Sequence, residues 1–181
     1  MNKKSIVSIT LIALFAAIIA ISSWITVSIG PVPFTLQTFG VFLAIRFLGA
    51  KKGTASVIIY ILLGAVGLPV FSGFRGGIGH IVGPTGGYIL GFILSGVVIL
   101  ICDKLFKNKL IFKAIADALA LLACYALGTA WFYFTMGVEK GMSLWAVLMA
   151  CVIPFIIPDV IKIVVAELIC TKMPKSIKEK V

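Results

Sequence analysis

The stretch GGIGHIVGPTGGY, residues 76–88, packs six glycines and a proline into thirteen positions of an otherwise apolar chain. Its core, Gly77-Ile-Gly79-His-Ile-Val-Gly83, imitates a dinucleotide-binding turn, which works by presenting backbone N–H groups and a helix N-terminus to a pyrophosphate. Such a turn needs a strand before it and a helix after it, within a βαβ unit. Here the flanks are long apolar runs, so the fold class turns on what those runs are.

Of the 181 residues 61% are hydrophobic and 12% charged, and the mean hydropathy is +1.21. Soluble domains carry roughly 25% charged residues, so this composition belongs in a bilayer. Six apolar runs are predicted to span it, at 6–27, 34–48, 54–71, 88–105, 110–136 and 144–170. Most reach the ~17–25 residues that cross hydrocarbon, and the second and fourth are the short ones. The expected architecture is an all-α integral membrane protein of six transmembrane helices, forming a single domain over 1–181.

The sixteen basic residues orient it. Under six spans, thirteen of them fall on one side: Lys3 and Lys4; Arg46, Lys51 and Lys52; Lys104, Lys107, Lys109 and Lys113; and Lys172, Lys175, Lys178 and Lys180. The other side keeps Arg75 and Lys140, and Lys162 stays inside the last span. The positive-inside rule makes the basic side cytoplasmic, with both termini there. The net charge of +10 is then a topology signal, and no nucleic-acid partner is expected. A multi-pass protein of the cell membrane follows, with the first span retained because no clear cleavage site follows it.

The glycine stretch now falls between spans three and four, on the external side. A connection of about Pro69 to Gly87 exceeds the usual ~2–8 residue link between helices, and such loops are commonly lids or binding loops. Gly76, Gly77 and Gly79 permit close backbone approach, while Gly86 and Gly87 are expected to open span four with N–H groups free for a ligand oxygen. A second external connection, SIGPVPFTLQTFG (28–40), is kept extended by Pro31 and Pro33 and offers Phe34, Thr35, Gln37 and Thr38 at the mouth of span two.

The last span, IPFIIPDVIKIVVAEL (153–168), holds the costliest residues. Asp159 and Lys162 share a helix face, and each costs roughly 2.5–3.5 kcal/mol at the centre of a membrane helix. They must face inward and be paired, either as a structural bridge or as a polar floor for a ligand. Asp117, four residues after Lys113, reads as an ordinary i,i+4 pair, and Glu167 has no assigned role. In span one, Ala13 with Ala17 and Ala16 with Ala20 form two small-xxx-small faces, suited either to internal packing or to another membrane subunit. The four cysteines show no CxxC and no metal-like spacing with the one histidine, so they read as packing thiols and no metal site is expected.

Together, PVPFTLQT (31–38), GPTGGY (83–88), the Pro-Asp-x-x-Lys of 158–162 and the alanine pairs resemble the BioY family, biotin-binding S-components of energy-coupling factor (ECF) transporters. The resemblance runs from about residue 10 to 170. It implies a six-helix protein that captures biotin externally and works with a transmembrane coupling subunit and two ATPase subunits. ATP would then be used by partners, with no cofactor in this chain. It implies a ligand site that includes Asp159 and Lys162, and a partner contact through the alanines of span one. The ligand-binding set expected overall is Asp159, Lys162, Tyr88, Phe34, Thr35, Gln37, Arg75 and Gly83; the expected partner face is Ala13 and Ala17, or Ala16 and Ala20. The sequence departs from the family pattern at Ile157-Pro158, which stands where a Pro-Gly pair precedes the aspartate. An enzyme is not expected, since no nucleophile and base or metal cluster is available. A self-sufficient secondary transporter, with Asp159 and Glu167 as a proton relay, is the rival; no broken spans recur in the two halves to favour it.

Overall fold

The computed structural model describes residues 3–27, 31–106 and 110–172. Residues 28–30 of the first external connection, and Lys107, Lys109, Lys175, Lys178 and Lys180 of the charge pattern, lie outside the described residues.

The chain is a helical bundle. Helix α1 (Lys3–Trp24) leads into a short antiparallel pair, β1 (Thr26–Val27) and β2 (Phe34–Thr35), and then α2 (Gln37–Leu48) and α3 (Ala50–Ala65). After a connection come the one-turn α4 (Ile78–Val82), then α5 (Gly86–Leu105) and α6 (Leu110–Phe132), which ends in a π-helical turn at Tyr133–Gly137. The last expected span is two helices, α7 (Leu144–Cys151) and α8 (Ile153–Lys172). They meet at Val152, whose φ of −125° and ψ of −57° depart from helical values although its N–H still donates to Leu148 O at 3.0 Å. Ser143 Oγ caps α7 by accepting from the Ala146 N–H.

Four stretches are long and apolar enough to cross a bilayer: Ser5–Trp24, Gly86–Leu105, Leu110–Gly137 and Leu144–Lys172. Helix α2 has 12 residues and α3 has 16, or about 18 and 24 Å, short of the ~30 Å hydrocarbon core. The expected ends of spans one and two, 26–27 and 34–35, are therefore strand and not helix. Non-helical backbone at membrane depth is tolerated where protein satisfies its polar groups. Here it does: the strands pair, the Leu36 N–H donates to Ile25 O at 3.1 Å, and Thr35 Oγ1 accepts from the Gln37 N–H.

Small residues bring the helices together. On α5, Gly87, Gly91 and Ser95 repeat every four residues and face α6. A Cβ on Gly87 would strike Trp131, one on Gly91 would strike Cys124, and Ser95 Oγ donates to Ala120 O at 2.8 Å. Gly128 of α6 returns the fit by admitting the Tyr88 ring. In lipid, where helix association relies on van der Waals packing, such close approach is the cohesive term. Gly91→Leu is expected to lower stability by about 1–3 kcal/mol through overpacking. Thermal unfolding in detergent measures it, and an unchanged midpoint would show a loosely packed interface.

Gly86 and Gly87 are both buried at close contacts, and the Gly86 N–H, expected to be free for a ligand oxygen, donates to Gly83 O at 2.9 Å. Of the glycines expected to ease the loop, Gly77 has φ +96° at the entry to α4, and Gly76 sits against Leu68 O. Gly79 is an ordinary helical residue of α4 with open space around its Cα.

In α1 the residues Phe15, Ala16, Ile19, Ala20 and Ser23 are buried at helical spacing, whereas Ala13 and Ala17 are exposed. Ala16 and Ala20, at 2% and 7% exposure, belong to the core. They are removed from the candidate partner face, which reduces to Ala13 and Ala17.

The end of the bundle formed by the last turns of α2 and α5 and the first turns of α6 carries a charge cluster that spacing concealed. Arg46 donates through Nε to Asp117 Oδ1 at 2.9 Å, through Nη1 to Asp103 at 3.2 Å and through Nη2 to the Lys113 carbonyl at 2.9 Å. Glu167 of α8 lies 3.9 Å from both Arg46 Nε and Lys113 Nζ. Asp117 therefore pairs with Arg46 and not with Lys113. Arg46, with a side chain only 5% exposed, is a buried hub and not a free loop cation of the kind that reports topology.

Candidate functional site

The opposite end of the bundle holds a cavity of some 70 Å³, partly open to solvent. Its floor is set by α8. Asp159 and Lys162, one turn apart on the buried face, are 4% and 7% exposed. Lys162 Nζ donates to Asp159 Oδ1 at 2.8 Å and to the Thr35 carbonyl at 2.6 Å, and it stands 4.0 Å from the Phe34 ring centroid. Tyr125 of α6 donates its hydroxyl to Asp159 Oδ2 at 2.7 Å. Phe34 stacks in turn on Phe155, with centroids 6.0 Å apart.

This hydrogen bonding leaves capacity on both partners. An ammonium has three N–H donors, and two are committed; a carboxylate has about four lone-pair sites, and two are met. The floor can still give one hydrogen bond to an acceptor and take two from donors. It is also neutral as a unit, so a ligand group bound there is favoured when it is polar and uncharged.

Above the floor, Gln37 donates Nε2 to Tyr60 Oη at 3.0 Å, and Tyr88 Oη lies 3.2 Å from Thr129 Oγ1. Phe71, Phe92, Leu121 and Phe155 supply apolar wall. The cavity adjoins a vestibule of some 400 Å³ lined by Arg75, Gly83, Thr26 and Pro31 among others; Pro33, Ser72, His80 and Thr85 line both spaces. His80 stacks on Phe71 with centroids 5.4 Å apart. Its burial, and secondarily the nearby Arg75 charge, hold its pKa below the ordinary histidine value, which keeps it neutral near pH 7.

Of the residues expected to bind ligand, Asp159, Lys162, Thr35, Gln37 and Tyr88 line one cavity. Phe34 is not among the cavity's lining residues and instead lies beneath the Lys162 ammonium. Arg75 and Gly83 line the vestibule instead, and the Gly83 carbonyl accepts from Trp131 Nε1 at 3.0 Å. The strongest omission from the sequence reading is Tyr125. Its only sequence signal is a phenol within an apolar run, and its partner is 34 positions away. Cys124 and Cys151, read as packing thiols, are free and buried and also reach the cavity wall.

Long apolar helices, packed through small residues around a polar-floored cavity at one end, define a polytopic helical membrane protein built to hold a small ligand. The comparisons narrow this class. Residues 1–179 match the profile of the BioY family, and the chain belongs to that family. The Biotin transporter BioY of Thermotoga maritima is 43% identical over 164 residues, 90% of this chain and 92% of the relative. The Probable biotin transporter BioY of Pyrococcus horikoshii is 41% identical over 165 residues, 91% and 94% of the respective chains. The crystal structure of the S-component for biotin from an ECF-type ABC transporter superposes with a TM-score of 0.81 at 28% identity, covering 94% of this chain and 92% of that one.

Proposed function

We propose that the chain is a biotin-capturing S-component with six membrane spans, both termini cytoplasmic and the cavity facing outward in the cell membrane. It hands biotin to an ATP-driven ECF assembly of a transmembrane coupling subunit and two ATPase subunits, and itself needs no cofactor. The observation that carries this reading is the residual hydrogen-bonding capacity of the floor. A cyclic urea offers a carbonyl acceptor beside two N–H donors, which complements one spare Lys162 donor and the spare lone pairs of Asp159. The ureido ring of biotin therefore sits on the floor, its sulfur ring and tail run along the apolar wall, and the carboxylate points away from Asp159, which would repel it.

Titration of the purified chain in lipid nanodiscs with biotin tests the capture step. Saturable binding by the chain alone is expected. In liposomes, accumulation of radiolabelled biotin is expected only once the coupling subunits and ATP are present. Accumulation by the chain alone would favour the self-sufficient secondary transporter; absence of binding would remove the proposal.

A further inference from the structure

The charge in the ligand-accommodating space is unevenly divided. The inner cavity carries Asp159 and Lys162, which cancel each other at 2.8 Å. The vestibule carries Arg75 as the sole charged side chain among its described lining residues, with no carboxylate and with a neutral His80 beside it. The two spaces share Pro33, Ser72, His80 and Thr85, so one elongated molecule can occupy both.

From this geometry we infer that the vestibule is an anion-reading subsite, in which Arg75 recognises the free carboxylate end of the ligand and distinguishes it from esters and amides. The inference rests on the biotin reading above and adds a specificity determinant to it. Arg75 is exposed and forms no described hydrogen bond or ion pair with a carboxylate, so its five N–H donors are available to an incoming anion. A guanidinium pairs with a carboxylate through two parallel N–H···O bonds, a geometry that an ester or amide cannot match in charge. The inner floor cannot make this distinction, because it is neutral and its remaining cationic donor is matched to the urea carbonyl. The neighbouring hydroxyls of Ser72 and Thr85 can donate to the same carboxylate at the boundary between the two spaces.

The test compares biotin with biotin methyl ester in equilibrium binding to the detergent-purified chain. The wild type should prefer the acid by roughly tenfold or more, the range of a hydrogen bond to a charged group. In Arg75→Gln the ratio of the two affinities should collapse towards one, and in Arg75→Lys, which keeps the charge, most of it should survive. A wild-type ratio near one overturns the inference, as does an unchanged ratio in Arg75→Gln. Failure of the wild type to bind biotin at all is a different result, and it sinks the biotin reading on which the subsite rests.

Discussion

Asp159→Asn and Lys162→Met should each destabilise the bundle and abolish tight biotin binding, while the double variant should regain stability without regaining the ligand. Each single change leaves an unmatched charge beside the floor, and removing one member of a buried pair costs about 3–5 kcal/mol. With both charges gone, that penalty disappears. The urea's partners remain missing, so affinity should stay reduced by roughly 2–4 kcal/mol, about 30- to 900-fold. Thermal unfolding and calorimetric titration on the three variants separate the two effects. A double variant that binds biotin normally would reduce the pair to a packing bridge.

Ala13→Trp and Ala17→Trp should eliminate ATP-driven uptake while sparing biotin capture. Both alanines are exposed, on the face of α1 opposite to Phe15, Ala16 and Ile19. A large ring there has room in the isolated chain but would hold a second membrane helix away from close contact. Co-purification with the coupling subunit and transport should both fail, and biotin titration should match the wild type. Loss of biotin binding in these variants would place that face of α1 inside the fold and end the partner assignment. By contrast, Ala16→Trp should unfold the chain, since Ala16 is 2% exposed.

Much of the site was legible because its chemistry is local. Asp159 and Lys162 are one turn apart in an apolar run, and the cost of bare charges in lipid forces them inward and together. The helices were legible from hydropathy alone, though their ends were not. Residues 26–27 and 34–35 are apolar enough to read as span, and only the pairing of the strands explains how that backbone leaves the helix. The pairings of Tyr125 and Arg46 escaped notice because their partners are distant in sequence: 34 positions to Asp159 and 71 to Asp117. Lys113 and Asp117 satisfied a helical spacing rule, yet a guanidinium with five donors outcompetes a half-exposed ammonium for a buried carboxylate. Gly86 offered a misleading cue. Its N–H was expected to be free for a ligand oxygen, and it is taken by the Gly83 carbonyl instead.

Helices α2 and α8 are fastened to each other twice. Lys162 holds the Thr35 carbonyl just ahead of α2, and Glu167 faces Arg46 near its far end, about 14 Å along the axis from Gln37. Pro158 lies outside the segment between the two fastenings on α8. The two helices therefore behave as one stiff beam. A displacement of the 34–35 strand, such as a ligand pressing on it would impose, is carried down that beam as a swing of its other end rather than being lost in bending.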